Sequence, residues 1–380
     1  MHIVYHIDNL NVPGGIGRIV SLKANWFAEH GYDVTILTTE GREVVSFYPL
    51  AASIKTQALD INLMEVYKYG RGPLGIVHTV WARLRQNRKH IRKLREYLAT
   101  HPTDVFFTTI NVPGLTRLQD GSKKIIEAHF SVGSSLRFMQ QLPPMARWIY
   151  RIYYQHQQKK LLSYDYHVLL TQKDSILRHS PKNVVVIPNF ITITPPEKMA
   201  NTESKSVIAV GRLDAIKGFD LLFKAWRIVL AKHSDWNLNL YSYGNNREQE
   251  YHDMVKALGI ENSVTIHEPV KNIVEKYLES AFFVFSSRCE GFGLVLCEAM
   301  ACGLPCVSYD CNCGPSDIIT DHVDGLLVRP TGDVDKLAEA IIWMIEHPTE
   351  RAEMGKKARQ NIQKFSIDAV MEKWVKLINA

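Results

Sequence analysis

Short β-branched or aromatic runs alternate with helical patterns along this chain, pause at one polar segment, and then begin again. That doubled rhythm limits the possible folds more than any other feature, because strand–helix alternation signals a parallel sheet with helices on both faces. His2 to Ile7 is predicted as the first strand. After a Pro/Gly turn, Ile16, Ile19, Val20, Ala24 and Phe27 recur at helical spacing, and Gly31 ends the helix. Val34–Thr38, Val105–Ile110, Lys124–Ala128, His167–Leu170 and Val184–Ile187 complete the first set of strands. Ile191 to Ser206 is polar and aperiodic with two prolines, as expected of a linker. The second set is Val207–Val210, Leu238–Tyr241, Val264–His267, Phe282–Phe285, Cys306–Ser308 and Leu326–Val328. The expected architecture is α/β, with two Rossmann-like domains, 1–190 and 207–365, joined by 191–206. A helix over about 366–380 is available to pack back on the first domain. Two such domains leave a cleft facing the carboxyl ends of both sheets, the usual ligand site.

Composition excludes several classes. A chain of 380 residues, 46% apolar and 22% charged, buries large cores and is neither disordered nor a disulfide mini-fold. Its longest apolar runs fall far short of the roughly 18 residues of a membrane span. The start, MHIVYHIDNL, reads as a strand and not a signal peptide, so a cytoplasmic location is expected.

Net charge is +6 but unevenly placed: residues 1–190 carry 24 basic and 13 acidic side chains, residues 191–380 carry 21 and 26. Nine basic residues and no acid lie between Lys68 and Arg95. A second acid-free stretch, Ala128 to Tyr164, sets Arg137, Arg147, Arg151, Lys159 and Lys160 among Trp148, Tyr150, Tyr153 and Tyr154. Such stretches suit an anionic membrane surface, a polyanionic substrate or nucleic acid; a solvated helix face explains them equally well.

All six cysteines fall between Cys289 and Cys313. Their spacings do not form the paired C-x2-C knuckles of structural zinc, so no metal is expected.

The chemistry is concentrated in Ser286 to Ser316, SSRCEGFGLVLCEAMACGLPCVSYDCNCGPS. A strand end passes through a turn at Gly291 and Gly293 into a helix near Leu294, aiming backbone N–H groups and a positive helix end at an anion. Glu290 in the turn and Glu298 in the helix are spaced E-x7-E, and a carboxylate so placed can accept hydrogen bonds from adjacent sugar hydroxyls. A second element, VIAVGRLDAIKGF, brings Gly211, Arg212 and Lys217 to the end of another strand, suited to clamping a diphosphate. A third, DNLNVPGGIGRIV, permits close backbone approach at Gly14, Gly15 and Gly17. It is not the G-x-G-x-x-G dinucleotide fingerprint. A fourth is His129, ending KIIEAHF at the cleft edge of the first sheet.

Together PGGIGR, His129, IPNF at Ile187–Phe190, GRLDAIKGF and EGFGLVLCEAMACGLP resemble the family 4 retaining, nucleotide-sugar-dependent glycosyltransferases of GT-B architecture. The resemblance implies that Arg212 and Lys217 bind the donor diphosphate and Glu298 the ribose. It implies that Glu290 and the backbone of Phe292, Gly293 and Leu294 hold the sugar and β-phosphate. Gly15 would approach the phosphates, His129 the sugar, and Val270 the base. The implied reaction moves a hexose or N-acetylhexosamine, with UDP favoured as carrier, to a glycan or polyprenyl-diphosphate-linked acceptor, without a cofactor or metal. The Asp333-Val334-Asp335 triplet fits a helix N-cap better than a metal site. Rival readings are a nucleotide-sugar epimerase of the same architecture, an NAD-dependent oxidoreductase and a nucleic-acid-binding protein; nucleic acid is not an expected partner.

Overall fold

The computed structural model describes residues 1–62, 73–129, 131, 139, 143–177, 183–242 and 247–380. Part of each basic stretch, including Lys68, Arg71 and Arg137, lies outside the described residues. The strands are β1 (His2–Ile7), β2 (Asp33–Thr38), β3 (Lys55–Ala58), β4 (Val105–Thr108), β5 (Lys123–Glu127), β6 (Tyr166–Leu169) and β7 (Val184–Val186), then β8 (Ser206–Val210), β9 (Asn237–Tyr241), β10 (Val264–His267), β11 (Phe282–Phe285), β12 (Cys306–Tyr309) and β13 (Gly325–Val328). They form two parallel sheets, ordered β3-β2-β1-β4-β5-β6-β7 and β10-β9-β8-β11-β12-β13. In each, strand order reverses beside the first strand, at β1/β4 and at β8/β11. Ligands of open α/β sheets bind outside the carboxyl ends of the strands at such reversals.

The helices of the first half are α1 (Gly15–Glu29), α2 (Pro73–Thr100), α3 (Pro144–Leu161) and α4 (Gln172–Leu177). The second half has α5 (Phe219–Leu230), α6 (Glu248–Ala257), α7 (Ile273–Leu278), α8 (Leu294–Ala301), α9 (Pro315–Ile318), α10 (Val334–Glu346) and α11 (Pro348–Asn361), followed by α12 (Ile367–Asn379). Apolar periodicity explains the main ones: Phe219, Leu222, Phe223 and Trp226 form the buried stripe of α5. The chain then crosses back, and Val370, Met371 and Trp374 of α12 pack with Ile3, Tyr5 and Phe107 of the first sheet. Asp333 caps α10, its Oδ1 accepting from the Lys336 amide at 3.0 Å. The segment after Phe190 has no regular structure yet is tied down: the Ile191 amide donates to the Phe365 carbonyl, and Arg359 donates to the Lys198 carbonyl.

Strand β3 carries no apolar alternation. KTQA is an edge strand paired only to β2, and polar side chains there blunt an open edge.

A buried histidine pair lies under the first sheet. His6 Nδ1 meets Thr108 Oγ1 at 3.0 Å, while its Nε2 lies 3.0 Å from both Thr39 Oγ1 and His90 Nε2. Burial pushes His90 down to about 4 and His6 well below its ordinary value, His6 further by its neighbour. An unfolded chain takes up these protons near pH 6.5. As pH falls from there toward 4, the unfolded state gains protons that the native state refuses, so stability is lost on acidification. The urea midpoint should therefore fall between pH 7.5 and pH 5, with His90→Leu reducing that slope. An identical slope in the variant would contradict the assignment.

Candidate functional site

The two motif loops of the second sheet are sewn together at the β8/β11 reversal. After β8 the chain passes Gly211 and Arg212 into a single 3-10 turn, Ala215–Lys217, capped by Asp214, whose Oδ1 accepts from the Ile216 amide at 3.0 Å. Ser286, just past β11, donates its hydroxyl to the Lys217 carbonyl at 2.9 Å. Arg288 donates to the Ala215 carbonyl at 2.7 Å and makes a two-pronged pair with Asp220 at 2.6 Å. These contacts bring the glutamate turn against the lysine turn, where Lys217 Nζ lies 2.7 Å from Glu290 Oε1. Arg212, a little over half exposed, lies 3.7 Å from Asp214; among the described residues it has no ion pair with either glutamate.

The turn then enters α8. Gly293 sits at φ 108°, a left-handed conformation that side chains rarely adopt, and no described side chain caps the helix. Its first amides are therefore available to an anion. Helix α1 also begins without a side-chain cap, at Gly14. The two amino-termini meet: a Cβ added to Gly15 would lie 3.2 Å from Leu294 Cδ1. Two positive helix ends side by side repel each other unless an anion sits between them.

Glu298 is 4% exposed and bridges the two halves of the chain. Its Oε1 accepts from Arg18 of α1 at 2.8 Å and from the Thr192 hydroxyl, while Tyr277 Oη is 3.4 Å from Oε2. Arg18 also donates to the Thr192 carbonyl at 2.9 Å. Thr192 carried no signal in sequence, and Arg18, although it ends the PGGIGR motif, reads there as a solvated arginine on the open side of an amphipathic helix. Further cross-contacts follow the same edge: Ser131 Oγ lies 3.6 Å from Cys289 Sγ, and Lys173 Nζ lies 3.0 Å from Asp310 Oδ1.

His129 follows the carboxyl end of β5. Strand β5 ends at Glu127, and the imidazole two residues later is buried, with Nε2 3.6 Å from Glu127 Oε2. That carboxylate is itself paired with Lys23 at 2.7 Å. Burial pushes His129 down to about 4. Val270 is partly exposed in the loop after β10, on the same carboxyl edge. Beside it Tyr241 and His267 stack at 4.5 Å, an aromatic pair that strand periodicity alone did not single out.

All six cysteines are buried thiols, and burial pushes Cys297, Cys302, Cys306, Cys311 and Cys313 up, Cys302 and Cys313 to about 12. Among the described residues no three His, Cys, Asp or Glu side chains gather as a metal site.

Comparison with known proteins gives the same fold. Residues 191–361 match the family model "Glycosyl transferases group 1". An "Uncharacterized glycosyltransferase" of Haemophilus influenzae is 25% identical over 378 residues, covering 98% of each chain. The Staphylococcus aureus "Poly(ribitol-phosphate) alpha-N-acetylglucosaminyltransferase" is 31% identical over 209 residues, 54% of this chain and 42% of that one. Among solved structures, a variant of S. aureus TarM in complex with Fondaparinux, alpha-GlcNAc-glycerol and UDP superposes with a TM-score of 0.76 at 16% identity, covering 100% of both chains. The second half of the chain matches the glycosyl transferases group 1, and the protein is a glycosyltransferase of GT-B fold.

Proposed function

We propose that the protein transfers a hexose or N-acetylhexosamine from a UDP-sugar, with retention of configuration, to a glycan or polyprenyl-diphosphate-linked acceptor. The observation that carries this reading is the meeting of two uncapped helix amino-termini, at Gly15 and Leu294, beside the Lys217–Glu290 pair. A departing diphosphate needs positive charge already in place, and each well-aimed donor contributes a few kcal/mol, roughly 3 in comparable sites. Lys217, Arg212 and the α8 amides supply it, so no metal is required of the chain. Glu298 would take the ribose hydroxyls, exchanging or sharing its contact with Arg18. Glu290 and the backbone of Phe292–Leu294 would hold the sugar and β-phosphate, Val270 would border the base, and His129 would contact the sugar.

In the proposed step the bond from the anomeric carbon to the phosphate oxygen breaks, and the acceptor oxygen bonds to the same face. The acceptor proton passes to the departing phosphate. UDP is favoured as carrier by its presence in the TarM complex, and an anionic glycan acceptor by the poly(ribitol-phosphate) named for the S. aureus relative. A thermal-shift screen of UDP-, GDP- and ADP-sugars tests the donor, since a ligand of the native state raises its melting temperature. The largest rise should come with a UDP-sugar; a rise only with GDP- or ADP-sugars would overturn this choice.

The basic first half favours an acceptor at a membrane. No described helix is long and apolar enough to cross one. On α3, however, Trp148 is 65% and Ile152 48% exposed, next to exposed Arg147 and Arg151, the apolar-plus-basic pairing of an interfacial helix. Sedimentation with phosphatidylglycerol vesicles should decline with salt and with Trp148→Ser. Equal recovery with neutral vesicles would remove the membrane from the account.

A further inference from the structure

We propose that Glu127 is a positioning residue that fixes the tautomer and orientation of His129, with the buried ammonium of Lys23 holding the carboxylate in place. The proposal rests on the reading above that His129 meets the transferred sugar. Along β5, Ile125 and Glu127 alternate onto the face that α1 and α12 cover, and that face is otherwise built from Ile3, Tyr5, Phe107 and Trp374. Folding does not require ions there, since well-packed apolar residues commonly replace a buried ion pair without loss. Yet Lys23, only 1% exposed, places Nζ 2.7 Å from Glu127 Oε1 and 3.4 Å from the centre of the Trp374 ring. The two carboxylate oxygens divide their work. Oε1 takes the lysine, and Oε2 faces His129 Nε2 at 3.6 Å.

That nitrogen is buried and has no hydrogen-bond partner among the described residues. A negative oxygen opposite it favours the proton on Nε2, which leaves Nδ1 with its lone pair as an acceptor for a sugar hydroxyl. Burial keeps the ring neutral, so this tautomer is the form present at neutral pH. Ser131, two residues on, touches Cys289 and so sets the histidine loop against the turn that carries Glu290. A 3.6 Å separation is compatible with a hydrogen bond that forms only when substrate is bound.

The test uses the whole chain, nitrogen-15 imidazole spectra, and UDP release from UDP-glucose or UDP-N-acetylglucosamine, whichever is turned over. Wild-type His129 should be the Nε2–H tautomer, and Glu127→Gln should mix the tautomers and lower kcat about tenfold or more with little change in donor KM. Because Lys23→Met alone leaves a buried charge, the decisive variant is the double change Lys23→Met with Glu127→Leu, which should retain most of the wild-type melting temperature. The account expects it to remain as slow as Glu127→Gln; wild-type kcat in this folded double variant would make the pair purely structural and overturn the proposal. An Nδ1–H tautomer in the wild type would overturn it equally. Wild-type turnover by His129→Ala would instead defeat the underlying placement of His129 at the sugar.

Discussion

Lys217→Ala is expected to lower kcat/KM for sugar transfer about 10³-fold, on the order of 4 kcal/mol of transition-state stabilisation, while leaving the melting temperature nearly unchanged. Two losses combine. The ammonium that neutralises the departing diphosphate is gone, and Glu290, whose Oε1 it holds at 2.7 Å, becomes an unpaired anion where negative charge accumulates. The fold should survive because Lys217 sits on a surface turn whose backbone is secured by Asp214, Ser286 and Arg288. Glu298→Ala should be nearly as damaging, for a different reason. It removes the proposed ribose acceptor and also strands Arg18, which has no other carboxylate partner among the described residues. Steady-state rates with parallel thermal melts check both variants. Near-normal turnover in either would defeat the site assignment.

Lys23→Met should be the most destabilising single change in the first domain. Its partner Glu127 is 3% exposed, and removing one member of such a pair leaves an uncompensated buried charge, at a cost of about 3–5 kcal/mol. For a domain of this size that is a fall in melting temperature of about 10 °C. Adding Glu127→Leu removes the stranded charge and should recover most of the loss. Urea melts of wild type, single and double variants measure the cycle; a single variant as stable as wild type would show that the lysine is not paired in solution.

Both sheets were legible in sequence because parallel strands buried on two faces are written as dense apolar runs. The observed ends differ mostly by one residue, as at Lys123–Glu127 against the expected Lys124–Ala128. The edge strand at Lys55–Ala58 was not legible, since an edge needs no apolar face. Within the site, Glu290 and Lys217 could each be singled out from its own motif; their pairing follows from the strands before their turns being neighbours. Arg18 and Thr192 could not, because their meeting with Glu298 depends on how the two halves pack, which local periodicity does not encode. Glu127 was hidden for a related reason: a carboxylate in a strand reads as facing solvent, and only the lysine of another element explains its burial.

The central claim is that positive charge in the second domain holds the diphosphate of a nucleotide sugar. Calorimetric titration with UDP and with uridine, on wild type and Lys217→Ala, tests it most directly. The account predicts that wild type binds UDP at least about 100-fold more tightly than uridine, and that the variant loses most of this preference while its uridine affinity stays the same. Equal affinity of the wild type for UDP and uridine would contradict it.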